Sequence, residues 1–386
     1  MKNIYRVFFA LLFFAAPARA LSQAKTVDGT SLPRLELSEP GEHGGLNNYA
    51  FSPDGKKLAG ASGIVWHSRS KDGSLEAIAG GEIFLWDERK GRVTKVLGSH
   101  EESPQWLRFT GDGKILGSYS DDDHTLKLWK GTGRKPKAVL DLGGPCGQNS
   151  PPVMSASGNT FVHLVHRTLP IGEKGLLVGE TLGGWDLEKK KQSWSISVEG
   201  AMEELSAKYG VSPDGEKVAV YIRRVEWREE GGRGKGSTGE RYHAVLNAKT
   251  GEELWRVDGG PSVRPAAGTQ VLFTPDGAEL VTAGNAWIYR YDASTGEPLG
   301  EKIGVKQGDS LREVFFSEDG DRILVTRFLG KQIDVYAWPS GEHEISVRFG
   351  GFENFKNACP TGDLKKVAGQ LGFEPVVLDL SALLKK

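Results

Sequence analysis

Five acidic residues, Glu42, Glu102, Glu204, Asp309 and Glu353, stand in loops that lead into apolar, strand-like segments. Carboxylates that converge on one point form an oxygen-rich site for a hard cation such as calcium. No Asp/Asn-rich loop of metal-binding spacing frames them, so each reads first as a solvated loop charge. His163 and His166 have the spacing of a ligand pair on a helix, but their segment alternates like a strand. Residues three apart on a strand face opposite sides, which separates the two imidazoles. The chain carries no zinc signature, serine elbow or glycine-rich phosphate loop between strand and helix. No catalytic residue is assigned, and the leading reading requires no cofactor.

The densest set of recognition-type side chains is Arg223, Arg224, Trp227 and Arg228, followed by a Gly/Lys/Arg/Ser tract from Gly231 to Gly239. Arginine and tryptophan anchor interfaces by bidentate pairing and by burying large flat surfaces. The sequence predicts a long hairpin with a flexible tip here, acting as a clamp on an acidic or aromatic partner. The competing reading is a solvated hairpin whose charges pair across its strands. Trp66 stands in a second insertion and could stack on a ligand or pack on its own unit.

These residues must be positioned by a repeat. Phe51-Ser52-Pro53-Asp54-Gly55 recurs as Phe109-Thr110-Gly111-Asp112-Gly113, Val211 to Gly215, Phe273 to Gly277 and Phe316 to Gly320, with degenerate copies at Ala156-Ser157-Gly158 and Cys359-Pro360-Thr361-Gly362. Asp-Gly suits a two-residue hairpin turn that needs positive φ, so each copy reads as strand, tight turn, strand. A later apolar segment in each unit ends at an aromatic residue or leucine: Trp86, Trp129, Trp185, Leu246, Tyr291, Tyr336 and Leu378. With a fourth short strand per unit, the expected fold is all-β, a seven-bladed β-propeller of four-stranded antiparallel blades. The chain runs out before a fourth strand in the last unit, while Pro33 to Ser38 is spare at the start. An N-terminal strand therefore joins the last blade and closes the ring, with Leu35 and Leu37 facing inward.

Over nearly all of residues 21–386 the units resemble the WD-repeat propeller family. The second unit is the best match, with His100 ahead of Phe109, Ser118 on the second strand, Asp123-His124-Thr125 in place of an Asp-x-Thr string, and Trp129 ending the third strand. The resemblance implies that His100, Ser118, Asp123 and Trp129 form a hydrogen-bonded structural tetrad that stiffens the blade. Other units depart from the pattern; unit four has Leu246 where tryptophan is expected. Related propellers that use a quinone or, as lactonases do, a metal at the channel mouth give the enzymatic alternative.

Unit lengths point to a working face. From the turn glycine to the residue ending the third strand, units two, five, six and seven give 16, 14, 16 and 16 residues, against 31, 27 and 31 in units one, three and four. The extra residues fall between the second and third strands. In a propeller of this kind those connections share one face, opposite the short turns, and loops carry function. The leading expectation is a non-catalytic scaffold that binds a protein or a small ligand there. Residues 1–20 read as a signal peptide: Lys2 and Arg6, an apolar run Val7 to Ala16, and small residues before a cleavage point after Ala20. The run is too short for a comfortable span, so no stable membrane anchor is expected, and the remainder forms one exported domain. It would carry 46 basic and 50 acidic residues, a balance that disfavours nucleic acid. Cys146 and Cys359 belong to non-adjacent units and opposite faces. They should not bridge, because a disulfide needs Cα atoms within about 7 Å.

Overall fold

The structure, a computed structural model, describes residues 24–37 and 46–384, apart from 64, 70–74, 79–80, 88, 132, 147–150, 172–174, 198–202, 231–232, 259–269, 285, 306–310, 328, 351–353 and 373. For residues 47, 65–69, 75–78, 166–171, 175–180, 197, 203–207, 223–230 and 233–241 it describes the backbone alone.

Seven four-stranded antiparallel blades follow one another round a ring. Blade 2 shows the plan: Trp106–Phe109 is innermost, and Ile115–Ser120, Thr125–Lys130 and Ala138–Asp141 succeed it outward. The central strands are buried on both faces, because each blade is sandwiched between neighbours. Seven buried apolar clusters fill the seven gaps between blades. Between blades 1 and 2, for example, Ile83 and Leu85 meet Leu107 and Leu116. The seventh gap is filled like the rest, with Ala368 and Val377 of blade 7 against Leu58, Phe84 and Trp86 of blade 1.

Ring closure follows the expected route. Arg34–Glu36 pairs antiparallel with Glu374–Asp379 as the outermost strand of blade 7. Leu37 is buried and Leu35 partly buried in the layer shared by blades 7 and 1. One strand was unforeseen. Lys25–Asp28 pairs in parallel with His343–Arg348 and gives blade 6 a fifth strand. A single turn of 3₁₀ helix, Gly29–Ser31, carries the chain from one blade edge to the next, and Asp28 Oδ1 accepts from the Thr30 backbone N–H at 2.9 Å. Leu32 is buried between blades 6 and 7. The leading segment thus laces two neighbouring blades together.

The recurring turn differs from a two-residue hairpin. In all seven blades a Ser or Thr N–H donates to the carbonyl five residues on, as Ser52 does to Lys57 at 2.9 Å and Thr361 to Lys366 at 2.8 Å. Four residues therefore intervene. The aspartate is there as an acceptor: Asp54 Oδ1 takes the Ser52 hydroxyl at 2.6 Å and the Lys56 N–H at 3.2 Å. Gly55 supplies the positive φ, at 66°. In blade 7 that position is Leu364, at 56°, so Gly362 is not the counterpart of the other turn glycines. The spacing taken from Gly362 is therefore two residues too long.

Candidate functional site

The extra residues of blades 1, 3 and 4 emerge from the same side of the ring, between second and third strands. In blade 1 they form a separate hairpin, Val65–Arg69 with Leu75–Ile78. In blades 3 and 4 the blade strands themselves run on. Thr160–Ile171 pairs with Gly175–Asp186, and Lys217–Glu230 with Arg233–Asn247. The corresponding strands of blade 2 end after six residues each. At about 3.3 Å per residue, the blade 4 ladder rises roughly 20 Å above the blade body. The innermost strand climbs part of the way, with Glu203 paired to Glu226. Strand structure resumes at Arg233, so most of the glycine-rich tract is paired hairpin where a flexible tip was expected. A β-irregularity between Arg223 and Val225 bends this ladder where it leaves the blade.

Within the ladder Arg223 is register partner of Arg241, Trp227 of Gly236 and Arg228 of Lys235. The same register sets Glu230 opposite Arg233 and Glu229 opposite Gly234. Arg224 pairs with Leu205 of the innermost strand. Trp66 is register partner of Ala77. The side chains of Trp66, Arg223, Arg224, Trp227 and Arg228 lie outside the described residues, as does their contact with any partner.

Of the five acidic candidates, Glu102 alone has a described side chain. Its carboxyl is pushed upward chiefly by the adjacent Asp122 charge. Glu42, Asp309 and Glu353, and the side chain of Glu204, lie outside the described residues. Among the described residues no group of three or more His, Cys, Asp or Glu side chains could hold a metal ion. Cys146 and Cys359 are free thiols.

Blade 2 contains the chain of bonds assigned by the WD resemblance. Trp129 Nε1 donates to Ser118 Oγ at 2.8 Å, Ser118 Oγ meets His100 Nε2 at 2.7 Å, and His100 Nδ1 meets Asp123 Oδ2 at 2.9 Å. Burial pushes the His100 imidazole down to about 4, outweighing the Asp123 charge that pulls it up. Burial raises Asp123, but the Thr125 hydroxyl, His100 and Lys127 together hold it down at about 2. Lys127 Nζ completes the set, 3.1 Å from Asp123 Oδ2. In blade 3, His163 occupies the position of Ser118 and takes the Trp185 Nε1 at 3.1 Å. His163 is thus a packed core acceptor.

Two features had no clear signal in the sequence. The first is a charged network inside blade 6. Arg327 donates from Nε and Nη2 to Asp334 Oδ2, at 3.0 and 2.7 Å, while Gln332 and Ser346 donate to Oδ1 at 2.6 Å each. Both ends are buried, Arg327 at 3% and Asp334 at 0% exposure.

The second is the channel lining near the turn face. The residue two before each turn Ser/Thr takes the same level on its innermost strand, and the bond from that Ser/Thr to the carbonyl five residues on fixes the equivalence. The seven are Ala50 and Arg108, followed round the ring by Val153, Gly210, Leu272, Phe315 and Cys359. Six are apolar, small or a thiol. Val153, Leu272, Phe315 and Cys359 each pack partly into an inter-blade layer and remain partly exposed. Arg108 is exposed although it stands on the innermost strand, which borders the channel. One step deeper on the same strand side as Phe315 lies Glu313, whose Oε2 accepts from Thr326 Oγ1 at 3.3 Å. Burial raises the Glu313 carboxyl and lifts the Cys359 thiol to about 11, and the enclosing channel wall lowers the solvent-exposed Arg108 guanidinium. On the turn face itself an open groove of about 460 Å³ runs between blades 1 and 2, past Asp54, Lys57, Asp112, Lys114 and Lys130.

No protein-family model matches the chain, and comparison with curated proteins finds no match either.

Proposed function

We propose that this chain is a non-catalytic, exported, WD-like propeller that holds a partner on the face bearing the long connections of blades 1, 3 and 4. The observation that carries the reading is the one-sidedness of the added structure. Three blades extend between second and third strands, and two do so as ladders of 12 to 15 residues. The seven turns on the opposite face keep one compact pattern of bonds. A hairpin that stands clear of its blade carries backbone edges without a blade neighbour, which suits capture of a second protein better than it suits stability. The bond chain from Trp129 to Asp123 supports WD-type kinship for blade 2, and a tetrad of that kind stiffens the scaffold without reacting.

The test replaces residues 224–240 by a short Asp-Gly turn and, separately, changes Trp227 and Arg228 to alanine. Each variant serves as bait against the envelope fraction of the source organism. Loss of a partner that the intact chain retains, at unchanged Tm, supports the reading. Equal capture by all three baits refutes the clamp. Metal content and the visible absorbance spectrum of the purified chain separate this reading from a metal- or quinone-assisted enzyme. Amino-terminal sequencing of the extracytoplasmic protein checks cleavage after Ala20.

A further inference from the structure

The channel carries an inference independent of the insertion face. A guanidinium inside a protein normally finds a carboxylate, because its five donors are costly to leave without acceptors. Arg108 has neither a hydrogen bond nor an ion pair among the described residues. Glu313 does not neutralise it, and its own neighbours are Arg312 and the Thr326 hydroxyl. Cys359 lies within electrostatic reach of both Arg108 and Glu313. The fork of Arg108 is therefore free to bind in a collar whose other members include Val153, Leu272 and Phe315, all partly exposed.

We infer that the turn-face end of the channel binds a small carboxylate with an apolar body, the carboxylate on the Arg108 fork and the body against Val153, Leu272 and Phe315. A single guanidinium offers one compensating charge and two parallel donors, which match a carboxylate. A phosphate dianion would keep an uncompensated charge among apolar side chains. The Cys359 thiol, nearly neutral at pH 7, adds no opposing charge and lies beside the bound group as a reporter. The partner proposed for the insertion face plays no part here.

Benzoate serves as the probe, with benzyl alcohol and inorganic phosphate as its uncharged and body-less counterparts. Binding is measured by calorimetry, and alkylation of Cys359 by a maleimide is followed by mass spectrometry, which separates it from buried Cys146. Benzoate is expected to saturate one site and to slow Cys359 alkylation, while benzyl alcohol and phosphate do neither. Arg108→Gln should weaken benzoate binding roughly tenfold or more, the loss of one charge-assisted pair. Its Tm should stay level or rise, since the variant removes a charge that no carboxylate among the described residues compensates. The proposal falls if benzoate neither binds nor protects, if Arg108→Gln binds it equally well, or if phosphate binds as tightly as benzoate. It falls equally if Arg108→Gln unfolds the ring, because the arginine would then be a structural member of the channel wall.

Discussion

Blades 2 and 6 each bury an aspartate to lock four strands together, and they surround it differently. In blade 2, Asp123 accepts from Lys127 at the blade edge and faces a neutral imidazole, from which the hydrogen bonds run on through a hydroxyl to an indole. In blade 6, Asp334 meets the positive charge in the dry interior, with two arginine donors on one oxygen and neutral donors on the other. The chain from Asp123 to Trp129 can lose its hydroxyl or imidazole while Lys127 still compensates the carboxylate. The ion pair cannot, because either partner alone is an uncompensated charge in a dry interior. Similar geometry in the two blades therefore carries unequal risk.

Breaking blade 6 should give the larger effect. Asp334→Ala is expected to cost about 3–5 kcal/mol in urea unfolding, whereas replacing both partners by apolar residues of similar size, Arg327→Met with Asp334→Leu, should recover most of the loss. If the single and double variants are equally unstable, the blade 6 network is held by its neutral donors and the contrast disappears. In blade 2, Ser118→Ala should cost about 1–3 kcal/mol, leaving Trp129 Nε1 and His100 Nε2 without partners. A cost equal to that of Asp334→Ala would erase the distinction from the other side.

Acid should distinguish the blades most gently. His100, His163 and His243 are held near 4 by burial, against an ordinary value of 6.5. The folded chain keeps them neutral where the unfolded chain binds protons. Their contribution is present above pH 6.5 and is lost as pH falls toward 4, up to about 3 kcal/mol for each. Asp334, held at about 2 despite burial by hydrogen bonds from His343, Ser346 and Gln332 and by the Arg327 charge, loses its contribution only below about pH 4. His100→Gln should therefore flatten the decline in unfolding midpoint between pH 6.5 and 4, and the double variant Arg327→Met with Asp334→Leu, which removes both charges, should leave that interval unchanged. Equal slopes in the two variants would show that the blade 2 imidazole is not the sensitive group. His243 is a further contributor: neither ring nitrogen has a hydrogen-bond partner among the described residues, and the ring sits between Tyr221 and Tyr291 at 4.8 and 5.7 Å.

The ring, its closure and the blade 2 bonds were legible because each rests on local pattern. A turn that needs Asp and Gly repeats its letters, and a strand missing from the last unit can be sought at the start. The turn's inner geometry was less legible, since Asp-Gly is shared by short hairpins and by the longer loop seen here. Leu364 at positive φ hid the true turn position of blade 7 behind a nearby glycine. Lys25–Asp28 escaped notice because a four-residue parallel strand has no turn to announce it. Arg327 and Asp334 read separately as polar strand residues, and their meeting depends on strand register. Arg108 gave no sign for a related reason: a lone arginine in an alternating strand looks solvent-facing, and here the solvent is inside the ring.

The lacing of the first residues across blades 6 and 7 bears on how the chain comes to fold. Leu35 is among the first described residues to be synthesised, and its register partner Val377 is among the last. Blades 1 to 5 can each assemble from contiguous sequence as it emerges, but the ring stays open until nearly the whole chain is present. Such long-range pairing is the slowest step in folding and leaves two unprotected edges until it is complete. The native ring is therefore out of reach until both ends of this pairing have been made.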